Sequence, residues 1–558
     1  MTAKPGTLNP DSLISLIEYS IRKNWEHTAL TDFHGVSFQY RDVARKIEKL
    51  HILFENAGVV PGDKIALCAK NSAPWAVAFL ATITYGAVAV PILHEFKSDN
   101  IHHLVTHSDA KILFVDSHIW ENLSPDSLPG LEGVFQISDF SLLLCRSERL
   151  RQSRENLNLL FGEKYPERFT PEDVNYREPE SDSDLALINY TSGSTGFSKG
   201  VMLSYRNLWS NVLFAREHID FLKPGDGMVC MLPLAHMYGL AIELMFPFTV
   251  GCSIFFLTRT PSPHVIMEAF ATVKPKLIIT VPLVIEKIIK TKVFPLLQKP
   301  MMKILLHMPF VDDKLLSKIK EKLDATFGGQ LRQLVIGGAG LNNDVEEFLR
   351  RIKFPFTVGY GMTECAPLIA YAPWDIQRPA SCGQIVDRME ARIDSPDPAN
   401  IPGVLWVRGQ NVMKGYYKNP EATEATFKDG WMNTGDICQI DDDGFLYIRG
   451  RDKNMILGPS GQNIYPEEIE VKVNNLPFVT ESLVVENGGK LIALIYPDFE
   501  NLAKENIPTA DVKEMMEQAV KELNKDLPAY SQISGVKIMN EEFEKTPKRS
   551  IKRYLYQH

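Results

Sequence analysis

Residues 185–200 read LALINYTSGSTGFSKG, and the architecture of the chain turns on how this stretch divides. Leu185 to Tyr190 is an apolar, β-prone run of strand length, and a helical stretch starts near Ser204. Between them Gly193 and Gly196 free the backbone to approach an anion, Ser192, Ser194 and Thr195 add hydroxyl donors, and Lys199 supplies a point charge. The spacing predicts a strand, a phosphate-binding loop and a helix, in that order. A Walker A loop is the obvious comparison, and counted from Gly193 the lysine falls in place. Ser198 and Gly200 stand where that motif needs glycine and then serine or threonine, which excludes a Walker ATPase. A plain flexible Ser/Gly loop is the competing reading, and it leaves the flanking strand and helix unexplained.

Outward from this loop the same texture repeats. Apolar strand-like runs at Lys64 to Leu67, Lys111 to Val115, Lys276 to Val281 and Leu331 to Ile336 alternate with helical patterns, which is the signature of α/β architecture. Between Pro282 and Leu331 lies a long helix-forming segment in which Leu315 to Leu323 alternates Lys, Glu and Leu, as an amphipathic surface helix does. After about residue 400 short strands with turns take over, among them Gly403 to Arg408 and Gly444 to Ile448. The acidic run Asp441, Asp442, Asp443 between these reads as a solvated hairpin turn rather than a metal site. Strand candidates at Ser482 to Val485 and Lys490 to Ile495 and a helix from Asp511 to Leu527 suggest a small α+β domain at the end of the chain.

Bulk properties narrow the function classes. A chain of 558 residues with 45% hydrophobic content holds more than one core, and a net charge of −9 gives no broad attraction for nucleic acid. Seven scattered cysteines without a CxxC pair suit reduced thiols and a cytoplasmic setting. The first residues reach Glu18 and Arg22 without an uninterrupted apolar run, so no secretory signal is expected. Pro74 to Leu93 carries no charge and approaches the length of a membrane span, but Gly86 and Pro91 divide it. We expect a buried helix, Trp75 to Tyr85, feeding a strand, Ala87 to Pro91.

Three further segments look like strand-end loops, where open α/β sheets place ligands. Gly337-Gly338-Ala339-Gly340-Leu341 and Gly359-Tyr360-Gly361-Met362-Thr363-Glu364 each follow a strand candidate. Small residues there let a flat ring lie against backbone, Tyr360 can stack on it, and Glu364 can hold a hard cation such as Mg2+. Trp431-Met432-Asn433-Thr434-Gly435-Asp436 offers an aspartate suited to ribose hydroxyls, and Gly450-Arg451-Asp452-Lys453 follows.

Taken in order, these segments resemble the adenylate-forming superfamily of acyl-CoA synthetases, peptide-synthetase adenylation domains and luciferases, in its long-chain fatty acid–CoA ligase branch. The resemblance runs from about Thr28 onward. It includes Tyr85 to Pro91, Leu232-Pro-Leu-Ala-His-Met-Tyr-Gly239, Val404 to Gly409 with Gly415-Tyr416-Tyr417, and Gly461 to Glu468. It implies a large N-terminal domain of stacked α/β subdomains, residues 1–451, and a small mobile α+β lid, residues 452–558. It also implies that ATP, Mg2+ and coenzyme A are used. The loop from Thr191 through Ser192, Gly193, Ser194, Thr195 and Gly196 to Lys199 would hold the β- and γ-phosphates. Gly338, Ala339, Tyr360, Gly361 and Met362 would surround adenine, Thr363 would meet the α-phosphate, and Glu364 would bind Mg2+. Asp436 and Arg451 would take the ribose, Lys453 would be the hinge, and His236 would stand beside the acyl carboxylate, with a purely structural histidine as its alternative.

The largest departure lies at the end. Relatives carry a lysine in a Thr-x-x-Gly-Lys motif that bridges the acyl carboxylate and the adenylate, whereas this chain reads Lys545-Thr546-Pro547-Lys548-Arg549-Ser550-Ile551-Lys552-Arg553. Matching Lys548 to the motif threonine and Ile551 to its glycine places Lys552 at the catalytic position, the preferred register because it supplies the cation; matching Thr546 to the threonine places Ser550 there, which supplies no positive charge. The segment Thr280 to Lys287 and the helical stretch after it resemble the fatty acid branch, and Leu234 to Leu240 lacks the acid with which amino-acid-activating domains pair the α-amine. The expected substrate is a fatty acid, with coenzyme A or acyl carrier protein as acceptor and at most peripheral membrane contact. A ligase that stops at acyl-AMP and a non-catalytic acyl or nucleotide sensor stay open.

Overall fold

The computed structural model describes residues 11–191, 198–258, 262–297, 311–457, 462–545 and 551–557. Leu185–Thr191 is a strand of an eight-stranded mixed sheet. The next element is not the expected helix. Lys199–Ser204 is a second strand, antiparallel to the first, with Thr191 opposite Lys199 and Tyr190 opposite Gly200. The helix expected to start near Ser204 follows that strand as Tyr205–His218, capped by the Ser204 side chain on the Asn207 amide. Val201 and Leu203, both 0% exposed, give the run its strand period, which six residues ending in a helix cap had disguised. Lys199 therefore stands at the end of a hairpin, not in front of a helix N-terminus. Ser192, Gly193, Ser194, Thr195 and Gly196 lie outside the described residues.

Outward from the hairpin, the strand Leu185–Thr191 continues in parallel through Val88–Pro91, Lys64–Cys68, Ala110–Val115 and Gly133–Gln136. Ala73–Tyr85, apolar all round, packs against this sheet and against a four-stranded sheet containing Thr28–Asp32 and Ser253–Phe256. Ser72 caps its start on the Trp75 amide at 3.2 Å, and Gly86 ends it in the left-handed region at φ 89°. The uncharged stretch is thus a buried helix and strand, and among the described residues no helix is long and apolar enough to cross a membrane. All seven cysteines are free thiols.

A three-stranded parallel sheet follows, Leu277–Thr280, Gln333–Ile336 and Phe356–Val358, then an antiparallel one built on Gly403–Gly409 and Trp431–Ile440. The amphipathic helix between Pro282 and Leu331 is Val311–Thr326. The acidic run does turn a hairpin, from Trp431–Ile440 into Leu446–Arg451. It is more than solvated, because Arg378 reaches Asp441 at 2.7 Å and Asp443 at 2.5 Å. The apolar core reaching Leu446 ends there. Residues 464 to 556 bury their own clusters around a sheet of Val479–Asn487, Lys490–Pro497 and Ile533–Ile538, a separate C-terminal α+β domain. The helix expected at Asp511 to Leu527 is Val512–Leu523, running into a 3-10 turn.

Candidate active site

The loops after Gln333–Ile336 and Phe356–Val358 leave the carboxyl ends of neighbouring parallel strands. Gly338 and Ala339 lie in the first, and Tyr360 to Glu364 form the second. Close approach fixes two glycines. A Cβ on Gly361 would lie 2.2 Å from the Pro367 carbonyl oxygen, and one on Gly337 would lie 3.0 Å from the Tyr238 ring. The Met362 amide beside Gly361 donates to that same Pro367 oxygen at 2.8 Å, which closes the loop tightly over Thr363 and Glu364.

Three of the expected residues meet here. Tyr360 donates its hydroxyl to Asp436, and Arg451 Nε reaches the other carboxylate oxygen at 2.7 Å. Asp436 and Arg451 are cross-strand partners, so sheet register alone puts them together. Asp436 is 2% exposed, and burial raises its carboxyl above the usual range while the Arg451 charge opposes the rise. The arrangement presents a buried carboxylate and a half-exposed guanidinium, acceptor and donors side by side, at the rim of the loop carrying Tyr360.

A second group forms around Glu364, which lies in the 3-10 turn Thr363–Cys365 and is 9% exposed. Tyr416 donates its hydroxyl to Glu364 Oε1 at 3.0 Å, and the Lys199 ammonium lies 4.6 Å from the centre of the Tyr416 ring. The strand that begins at Lys199 and the loop after Phe356–Val358 are thereby joined through one side chain. A single carboxylate with its second oxygen uncommitted to Tyr416 suits Mg2+, which takes one or two carboxylates and completes its shell with phosphate and water. Among the described residues the one trio able to hold a metal unaided, Glu217, His218 and Asp387, is exposed elsewhere, with Glu217 already paired to Arg388 at 3.0 Å.

His236 sits half-buried on a loop clamped from three sides. Asn71 binds Leu232 and Leu234 at 2.7 and 2.9 Å, Asn189 binds the Ala235 carbonyl at 2.9 Å, and Glu243 accepts from the amides of Met231 and Leu232 at 3.1 and 2.8 Å. Sequence reasoning missed all three clamps. Asn189 carried a readable signal, a polar residue inside the apolar run LALINY, because a fully buried amide must be hydrogen-bonded. Burial pushes the Glu243 carboxyl up to about 8, against those two amides. The folded value lies above the ordinary 4.5, so this group's contribution to stability is complete below about pH 4.5 and is lost as pH rises through about 8. Glu243→Gln removes that dependence. Relative to the unaltered protein, the variant is expected to gain about 4 kcal/mol between pH 5 and 9, read from urea midpoints of both proteins at both pH values.

Lys453 is exposed in the turn Asp452–Asn454, and Asn454 donates to Glu467 at 2.6 Å. Lys552 follows a bridge between Lys545 and Ile551 and pairs with Glu544 at 3.1 Å. Its neighbour Arg553 is structural, held by both oxygens of Glu470 at 2.7 Å. Thr546 to Ser550, which carry the rest of the irregular motif, lie outside the described residues. Ala366, Ile369 and Ala370, the aliphatic stretch after Glu364, are 0% exposed and belong to the main core.

Comparison with known proteins agrees with this construction. The model of the AMP-binding enzyme family matches residues 17–417, and that of the AMP-binding enzyme C-terminal domain matches residues 453–557. The chain is 27% identical over 559 residues to the long-chain-fatty-acid–CoA ligase FadD15 of Mycobacterium bovis, covering 92% of this chain and 89% of that protein. It is 29% identical over 515 residues to the long-chain-fatty-acid–CoA ligase of Yersinia pestis, covering 86% and 84%. Among solved structures, ATP-bound MatB from Rhodopseudomonas palustris superimposes with a TM-score of 0.75 at 23% identity, over 98% of both chains. The anthranilate CoA ligase AuaEII in complex with anthranoyl-AMP gives 0.79 at 20% identity, over 98% and 96%. A family model covering most of the chain, a second on the separate C-terminal domain and full-length structural likeness lead to one statement: the chain belongs to the AMP-binding, adenylate-forming enzyme family and is an AMP-forming acid–thiol ligase.

Proposed function

We propose that the protein activates a medium- to long-chain fatty acid with ATP, releasing pyrophosphate, and passes the acyl group from acyl-AMP to coenzyme A. The observation that carries the reading is that one loop, Tyr360 to Glu364, contributes to two groups, Tyr360–Asp436–Arg451 and Lys199–Tyr416–Glu364. The first supplies donors and an acceptor for a nucleoside. The second supplies a cation and a carboxylate for its phosphates. The fatty acid is supported by the relatives, which are named long-chain ligases. Those names give coenzyme A as acceptor, and a carrier protein finds no support among them.

In the first half-reaction a carboxylate oxygen of the acid attacks the α-phosphate and pyrophosphate leaves. Lys199 and the loop from Thr191 to Gly196 hold the β- and γ-phosphates, and Thr363 meets the α-phosphate. Gly338, Ala339, Tyr360, Gly361 and Met362 enclose the base, while Asp436 and Arg451 take the ribose. Glu364 would hold Mg2+, which when bound would offset phosphate charge. Lys552 brings a positive charge to the carboxylate and His236 lines its place. In the second half-reaction the thiolate sulfur attacks the acyl carbon and AMP leaves. We place the boundary between the two domains after Arg451, with Lys453 as the hinge that exchanges one half-reaction for the other. Pyrophosphate release across a panel of fatty, aryl and amino acids tests the reading. Release with fatty acids and formation of their coenzyme A thioesters is expected, and release with another class would displace the fatty acid.

A further inference from the structure

Tyr416 lies on a short segment that touches the site at every step. The Met413 amide donates to the Glu364 carbonyl at 2.8 Å, the Lys414 amide to Met202 at 2.9 Å and the Tyr417 amide to Gly200 at 2.7 Å. Gly415 and Tyr416 pair with Met202 and Val201, on the strand that begins at Lys199. Thr423 Oγ1 accepts from the Tyr416 amide at 2.9 Å, and Tyr416 is 7% exposed, so the residue is held at its backbone and buried along its side chain. The Lys199 ammonium rests over the ring and Glu364 takes the hydroxyl.

We propose that Tyr416 is a positioning residue for adenylation: its ring seats Lys199 and its hydroxyl aims Glu364, so that one side chain sets the spacing between the phosphate-binding ammonium and the metal-binding carboxylate. The proposal rests on the roles given above to Lys199 and Glu364. An ammonium and a carboxylate brought together without such a spacer would pair with each other and leave neither for the nucleotide. The aromatic face attracts the one and the phenol donates to the other, and both charges stay available.

A double-mutant cycle tests this. Tyr416→Phe keeps the ring and the packing and removes only the hydroxyl, and Glu364→Ala removes its acceptor. If the hydroxyl acts through Glu364, Tyr416→Phe slows pyrophosphate release about tenfold in the unaltered background and less than about twofold beside Glu364→Ala. It also raises the Mg2+ concentration for half-maximal rate while leaving KM for ATP within about twofold, which loss of general packing would not do. The same rate factor in both backgrounds, or an unmoved Mg2+ dependence, would overturn the proposal. The Mg2+ titration of Glu364→Gln separates the two levels. If it shifts and the cycle is additive, Tyr416 alone is wrongly placed; if it does not shift, the metal role of Glu364 falls and the proposal with it.

Discussion

Replacing Lys552 by alanine is expected to slow acyl-AMP formation by a factor of about a hundred to a thousand, equivalent to about 3–4 kcal/mol of transition-state stabilisation. The effect belongs to one half-reaction. Thioester formation from supplied acyl-AMP and coenzyme A is expected within about threefold of the unaltered rate, because the lysine has no charge to offset once pyrophosphate has gone. The fold should tolerate the change. Lys552 pairs with Glu544, whose side chain is 66% exposed, and a surface pair of this kind contributes at most about 1 kcal/mol. Arg553, whose buried pair with Glu470 ties the end of the chain to the C-terminal sheet, provides the contrast. Its loss should destabilise the domain and damp both half-reactions together. Equal loss of both half-reactions in Lys552→Ala would remove the residue from the catalytic position and favour the register that places Ser550 there.

Glu364→Gln is expected to lower Mg2+-dependent pyrophosphate release about a hundredfold and to change the stability of the large domain by less than about 1 kcal/mol. The amide is nearly isosteric with the carboxylate and still accepts from Tyr416, so packing and the hydrogen bond at 3.0 Å persist while the charge is lost. Rate against Mg2+ concentration, with urea unfolding alongside, separates the two effects. Similar losses in both would make Glu364 a structural residue of the loop.

Much of the architecture was legible because it is written in short, strongly patterned runs. The parallel strands at Lys64–Cys68, Ala110–Val115 and Leu185–Thr191 are nearly continuous apolar segments, as strands covered on both faces must be, and the helix Ala73–Tyr85 was set by Ser72 and Gly86 at its ends. The misreading came where two periods overlapped. Lys199–Ser204 is a strand of six residues whose last residue caps a helix, and the cap was easier to see than the strand. Ile533–Ile538 was missed for a related reason, since serine, glycine and lysine interrupt its apolar alternation. In the site, the meeting of Tyr360, Asp436 and Arg451 could be anticipated because each stands in a recognisable motif. Of the supports, only Asn189, a polar residue inside an apolar strand run, left a readable signal. Asn71 acts through backbone groups of a distant loop, and Tyr416 acts through two residues some 50 to 220 positions away, relations that exist only once the chain is folded.

The central claim is that a carboxylic acid is activated at the Tyr360–Asp436–Arg451 and Lys199–Tyr416–Glu364 groups before any thiol is engaged. It is tested most directly by running the acid panel with Mg-ATP, coenzyme A present and absent, and following pyrophosphate and thioester together. Pyrophosphate release that requires a fatty acid but not coenzyme A, with a thioester appearing only when coenzyme A is added, is the expected result. Protein that is folded and binds ATP yet releases no pyrophosphate with any acid would contradict it.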